Sequence, residues 1–237
     1  MAGFDEWYFE MPLITRLYLT ASIITTGACA LDIVSPFSLY FNVQLVIFKF
    51  QVWRVFTNFF FFGSIGLDFF FHMFFLVRYC RLLEEGCFRG RTADFLYMII
   101  FGGVLLCAGS PFMDVPPFLG SSLAFMMVYV WGRRNQYVRM SFLGLFQFRA
   151  PYLPWVLLAF SVLLGNSPSI DMAGIVVGHI YYFLEDVFPN TPGGRGRRPL
   201  ATPRALRTLL SLITSQDIDR YGAAAASDEV EIRPLAD

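Results

Sequence analysis

The chain has 237 residues, 56% of them hydrophobic and 15% charged. An ordinary soluble domain carries about 25% charge, so the composition excludes one and points to the membrane class. The 18 basic and 18 acidic residues cancel, which leaves no electrostatic basis for a nucleic-acid partner.

Residues 1–15 form a short N-terminal segment with Asp5, Glu6 and Glu10 ahead of the first apolar run. That is the wrong polarity for a cleaved signal peptide, so the run is expected to stay as a helix. Six candidate spans follow, at about 17–34, 58–79, 94–110, 117–132, 152–165 and 170–188. Residues 16–190 thus read as one membrane domain, and 191–237 as a polar, mostly disordered tail. Basic residues alternate between the connections. Lys49 and Arg54 lie in the first, then Arg78, Arg81, Arg89 and Arg91 in the next, with none around Asp114. Arg133, Arg134, Arg139 and Arg149 precede span five, none separate spans five and six, and seven lie beyond Pro189. The positive-inside rule then places both termini in the cytosol.

Between spans one and two, SPFSLYFNVQLVIFKFQVWRVFT is too apolar for a solvated loop and too interrupted to span. It reads as an interfacial element in which Trp53 suits the membrane surface and Arg54 either snorkels or braces backbone carbonyls. In span two Asp68 and His72 are four apart, on one helical face, where they share a proton, satisfy backbone or face a substrate. Gly63 and Gly66 should break that helix and place Asp68 near its start. The connector CRLLEEGCFRGRTADF mixes charge signs and reads as solvated, with Thr92 able to cap span three.

Span four contains Gly120-Ser121-Ser122, and a serine with a distant histidine raises nucleophilic catalysis beside the plainer role of helix packing. Span five, about 14 residues, covers about 21 Å of a hydrocarbon layer about 30 Å thick, so the bundle must thin the bilayer, bury the ends of the span in protein or admit water. Span six, IDMAGIVVGHIYYFLEDVFP, carries Gly174 and Gly178 on one face, the small-xxx-small pattern of close helix contacts, with His179 beside them. Asp171 opens it, and Glu185, Asp186 and Pro189 close it. The tail segment RALRTLLSLIT reads as a basic amphipathic helix. Cys29, Cys80, Cys87 and Cys107 show neither disulfide nor zinc spacing, and no GxxxxGK[ST] loop is present. No metal and no cofactor is expected.

Trp53-Arg54, RYCRLLEEGCFRGRTADF, YVWGRRNQYVRMSFLGLFQFRAPYLPW and GIVVGHIYYFLEDVFPNTPGG, in that order, resemble the Derlins of the rhomboid-like family from about residue 7 to 203. The resemblance implies an all-α, six-transmembrane rhomboid-like bundle. It would be a multi-pass protein of the endoplasmic reticulum membrane that helps retrotranslocate misfolded clients for degradation without being a protease. It also implies a membrane ubiquitin ligase complex and a cytosolic AAA ATPase as partners, with the lipid bilayer and a second copy of the chain besides. Rhomboid proteases carry Gly-x-Ser-Gly in span four and a histidine three residues before a GxxxG in span six. Here Gly120-Ser121-Ser122-Leu123 departs from the first, and in a frame set by Tyr129 to Trp131 Gly120 itself takes the nucleophile position. Asp171 stands where the histidine would, while His179 follows Gly178. The short aromatic, Gly-x-Gly, Arg-Leu box with which many Derlins dock the ATPase has no match in the tail, which ends AAAASDEVEIRPLAD. Two other readings stay open. One is an active intramembrane protease using Ser122; the other is a proton-coupled transporter using Asp68, His72, Asp171 and His179 as a relay.

Overall fold

The computed structural model describes residues 4–112, 118–142, 146–193, 196 and 199–212. The connection around Asp114, much of the basic stretch 193–200 and the C-terminal AAAASDEVEIRPLAD lie outside the described residues.

The described chain is mostly helical. After a short α1 (Phe4–Phe9), α2 (Leu13–Ala30) starts behind Pro12. In the first loop, α3 (Val43–Phe48) is capped by Asn42, whose side-chain oxygen accepts from the Leu45 N–H at 3.1 Å, and α4 (Arg54–Thr57) is a single turn. Then come α5 (Leu67–Leu82), α6 (Thr92–Gly109), α7 (Gly120–Arg134), α8 (Leu153–Leu163) and α9 (Pro168–Tyr182). A last helix, α10, covers 204–212. Six of these stand where apolar spans are expected, and two of them, α2 and the run Thr92–Phe112, are long and apolar enough to cross a membrane unaided.

Several boundaries differ from the sequence reading. Gly63 has φ of +91°, a left-handed turn that side chains resist, and Gly66 precedes the first turn of α5, so that span begins at 67 rather than 58. Thr92 is the first residue inside α6; Arg91 takes the cap position without a side-chain bond. The all-α expectation also needs correcting. Arg139–Phe142 and Phe146–Arg149 form an antiparallel hairpin, β1 and β2, pairing Arg139 with Arg149 and Met140 with Phe148. RMSF and FQFR alternate polar and apolar residues with the period of two that strands require.

The core is built around α7, whose residues from Ser122 to Gly132 are all buried. A helix apolar on every side belongs at the centre of a bundle, and α5, α6, α8 and α9 all pack on it. α9 runs parallel to it: Gly174 faces Ser122, Gly178 faces Tyr129, and Arg134 meets Asp186 just beyond. A Cβ on Gly174 would sit 2.0 Å from the Ser122 carbonyl oxygen, so the two backbones touch.

The connector after α5 is solvated only in part: Glu85, Gly86, Arg89, Gly90 and Arg91 are exposed. The helix continues into a π turn, Leu83–Cys87, with Leu83 and Phe88 buried, and Glu84 is only 6% exposed. Its carboxylate accepts from the Ile14 and Thr15 N–H groups at 3.0 and 2.9 Å and from the Thr15 hydroxyl at 2.8 Å. Pro12 offers α2 no side-chain cap; Glu84, some seventy residues away in sequence, supplies one and sets a negative charge on the positive end of the helix dipole. Burial pushes the Glu84 carboxyl up, and those three bonds oppose the shift.

The tail helix is docked. Thr202 donates to Asp94 at 2.7 Å, Arg207 reaches the same carboxylate at 3.3 Å, and Leu200 and Leu210 are buried. Glu84 under α2, Cys87 beside Asn135, Arg134 on Asp186 and Asp94 under the tail tie these segments together at one end of the bundle. Every described arginine except Arg54 belongs to that end.

Candidate functional site: a polar seam inside an apolar bundle

At the end of the bundle opposite the arginines, α5, α8 and α9 enclose a polar cluster. Asn166, in the turn between α8 and α9, donates to Asp68 at 2.7 Å. His72 Nδ1 lies 3.0 Å from the Asp68 carbonyl and 3.3 Å from its carboxylate. Deeper, Asp171 is 2% exposed and accepts from Ser121 at 2.8 Å and, by a short bond, from Ser161. Asp68, His72 and Ser161 share a cavity of about 30 Å³ with Phe71, Phe160 and Leu157, room for about one water. The outer edge is closed by Phe71 of α5 and Phe160 of α8, stacked with centroids 4.5 Å apart and planes at 22°. α8 has 11 residues, about 16 Å at 1.5 Å per residue, roughly half a hydrocarbon layer.

Ser122 lies next to this cluster but is engaged elsewhere: its hydroxyl donates to the Ile170 carbonyl at 2.6 Å. His179 is toward the other end of α9. Its Nδ1 is 2.7 Å from the Tyr129 hydroxyl, whose oxygen also accepts from Arg133 Nε at 3.0 Å. The structure therefore brings Asp68, His72, Ser121 and Asp171 to one region and leaves His179 apart from them.

In the first loop Arg54 braces carbonyls. It is 6% exposed; one Nη donates to the Phe37 and Tyr40 carbonyls, both at 2.9 Å, and Nε donates to Gln51 at 2.7 Å. Its guanidinium also lies 4.9 Å from the Tyr40 ring centroid. Trp53 is different, being 51% exposed, with only its ring N–H engaged, donating to the Ser38 carbonyl at 3.3 Å. Arg54 thus fixes the loop while Trp53 presents an apolar ring outward.

Sequence reasoning passes over Asn166, Ser161, Glu84 and the Arg134–Asp186 ion pair, which closes α7 onto the end of α9 at 3.0 Å. Asn166 had one signal, its place after Gly165, whose φ of +90° marks the α8–α9 turn.

Apolar helices around a central α7 buried from Ser122 to Gly132, two of them long and apolar enough to cross a bilayer, define a helical bundle of membrane character. The model of the Der1-like family matches residues 11–204. Derlin-2.2 of Arabidopsis thaliana is 52% identical over 239 residues, covering 95% of this chain and 97% of that protein. Derlin-2.2 of Zea mays is 53% identical over 98% of both chains, and Derlin-1 of Arabidopsis thaliana 39% identical over 89% of this chain and 79% of its own length. The chain belongs to the Der1-like family.

Proposed function

We propose that this protein is a non-catalytic component of endoplasmic-reticulum-associated degradation, a multi-pass protein of that membrane with both termini cytosolic. It lowers the barrier to moving misfolded chains out of the lumen or bilayer. The observation that carries the reading is the α5–α8 seam. A short α8 meets α5 at the Phe71–Phe160 stack, and just beyond it the Asn166 amide hydrogen-bonds Asp68, over a polar cluster at membrane depth. Each backbone group stripped of partners in lipid costs several kcal/mol, and a thinned, polar-lined half-channel removes part of that cost. Clients enter between α5 and α8. A cytosolic AAA ATPase, recruited with a membrane ubiquitin ligase through the basic stretch near residues 193–200 or through a partner, supplies the pulling force.

In microsomes, crosslinking a Phe71→Cys, Phe160→Cys pair should lengthen the half-life of a misfolded lumenal reporter several-fold, as deletion of the protein should. An unchanged half-life with the crosslink complete removes the seam from the path.

The same site argues against proteolysis. The Ser122 proton is committed to the Ile170 carbonyl, the carboxylate of Asp171 is taken by two other serines, and His179 bonds Tyr129. With no base on the hydroxyl the serine is a poor nucleophile. A fluorophosphonate probe should leave the protein unlabelled; labelling that disappears in Ser122→Ala would establish an active serine.

A further inference from the structure

At the arginine-rich end, the β hairpin and the start of α8 enclose a second cleft, of about 330 Å³, separate from the seam. Arg133, Gln136 and Arg149 line it together with Tyr129, Tyr152 and Trp155, and no carboxylate lines it among the described residues. Arg139 stands directly across the ladder from Arg149. Like charges in opposed positions of an antiparallel pair destabilise it. Among the described residues, no ion pair joins Arg133, Arg139 or Arg149 to an acid. Arg133 is also aimed. Its Nε is fixed on the Tyr129 hydroxyl and its guanidinium lies 5.5 and 5.8 Å from the Tyr129 and Tyr182 ring centroids, which leaves its Nη donors for a ligand.

We propose that this cleft binds the headgroup of a phospholipid that carries a phosphomonoester on a polyol. The guanidiniums of Arg133 and Arg149 in the cleft, with Arg139 beside it on the ladder and no counter-charge on any of them among the described residues, match a dianionic phosphate, which they grip through forked N–H donors. At about 30 Å³ per water the cleft holds the volume of about ten waters, suited to a phosphorylated ring rather than a bare ion. Gln136 and the Tyr152 hydroxyl supply neutral partners for ring hydroxyls. The exposed rings of Tyr152 and Trp155, at the start of an apolar helix, belong at a membrane–water boundary. A lipid headgroup lies at that level, and its acyl chains can continue along α8.

The test uses the full-length protein in phosphatidylcholine nanodiscs holding a small share of either phosphatidylinositol 4-phosphate or phosphatidylinositol, with retained lipid counted by native mass spectrometry. The phosphorylated lipid should be retained about tenfold more than the unphosphorylated one, and Arg149→Gln should cut that by about tenfold, the loss of one forked contact. Arg139→Gln should also lower retention while raising the thermal midpoint, because it relieves the cross-strand repulsion; a variant that merely unfolds cannot show both. Arg204→Gln with Arg207→Gln, basic residues on α10, should change nothing. Equal retention of the two lipids, or equal loss in the α10 variant, overturns the proposal in favour of general surface charge. Tight binding of soluble inositol phosphate to lipid-matched nanodiscs that displaces no lipid overturns the membrane as its source.

Discussion

Replacing Gly174 by valine should abolish accumulation of folded protein, and even Gly174→Ala should lower stability by an amount at or beyond the top of the about 1–3 kcal/mol range for an overpacked core. The added Cβ would lie 2.0 Å from the Ser122 carbonyl oxygen and 2.8 Å from its carbon. Both are backbone atoms of a helix buried on every side, so no side chain can swing away and the two helices must part. Separation would also strain the bonds that cross the same interface, from Ser122 to Ile170 and from Ser121 to Asp171. Two comparisons calibrate the effect. At Gly178 the nearest atom is the Tyr129 Cβ at 2.9 Å, and alanine there should cost less. At Gly103 it is the edge of the Phe59 ring at 3.4 Å, an ordinary contact, and alanine should be tolerated. Thermal midpoints in detergent and steady-state levels under proteasome inhibition would rank the three. A Gly174→Ala protein as stable as Gly103→Ala would mean that α7 and α9 do not touch as described.

Separating Trp53 from Arg54 should give two distinct phenotypes. Arg54→Ala removes a buried charge with three side-chain hydrogen bonds and strands the Phe37 and Tyr40 carbonyls, at a cost of about 3 kcal/mol. Its signature is a lower thermal midpoint and faster proteolysis within residues 35–57, with loss of client degradation as a secondary result. Trp53→Ala removes only a half-exposed ring and one long bond, so stability should be nearly unchanged. If Trp53 works at the membrane surface, client half-life should still lengthen. Limited proteolysis beside a reporter chase distinguishes them, and equal stability losses in both variants would show that the tryptophan, too, is structural. The paired Ala-Ala replacement would be uninformative, since Arg54 alone disorders the loop.

The contrast between these residues indicates what could be read before any coordinates. Gly174 and Gly178 were legible because a spacing of four on an apolar helix has one physical meaning, close approach of a neighbour. The break at Gly63 and Gly66 was legible for the same kind of reason, as was the order of the apolar helices. Glu84 was not: beside Glu85 and between arginines it looks like solvated charge, and only folding brings the uncapped start of α2 beneath it. Asp68 and His72 could be paired by their spacing, but Ser161 carries no local signal, and the place of Asn166 after Gly165 marks a turn without naming its partner. The hairpin was not foreseen: the alternation in RMSF and FQFR is only four residues long on each strand and stands in a chain whose other elements are helical. The tail helix could be foreseen as amphipathic, yet its docking depends on Asp94 more than a hundred residues earlier.

The parallel pair α7 and α9 has a mechanical consequence. The two helices, in backbone contact, are bolted at one end by Arg134–Asp186 and at the other by Ser121–Asp171. α8 meets α5 at the Phe71–Phe160 stack, with the Asn166–Asp68 hydrogen bond just beyond its end. On the proposed function, tension drawn toward the arginine-rich end would deform the α5–α8 joint before the α7–α9 pair. The load on a client would then also work that joint.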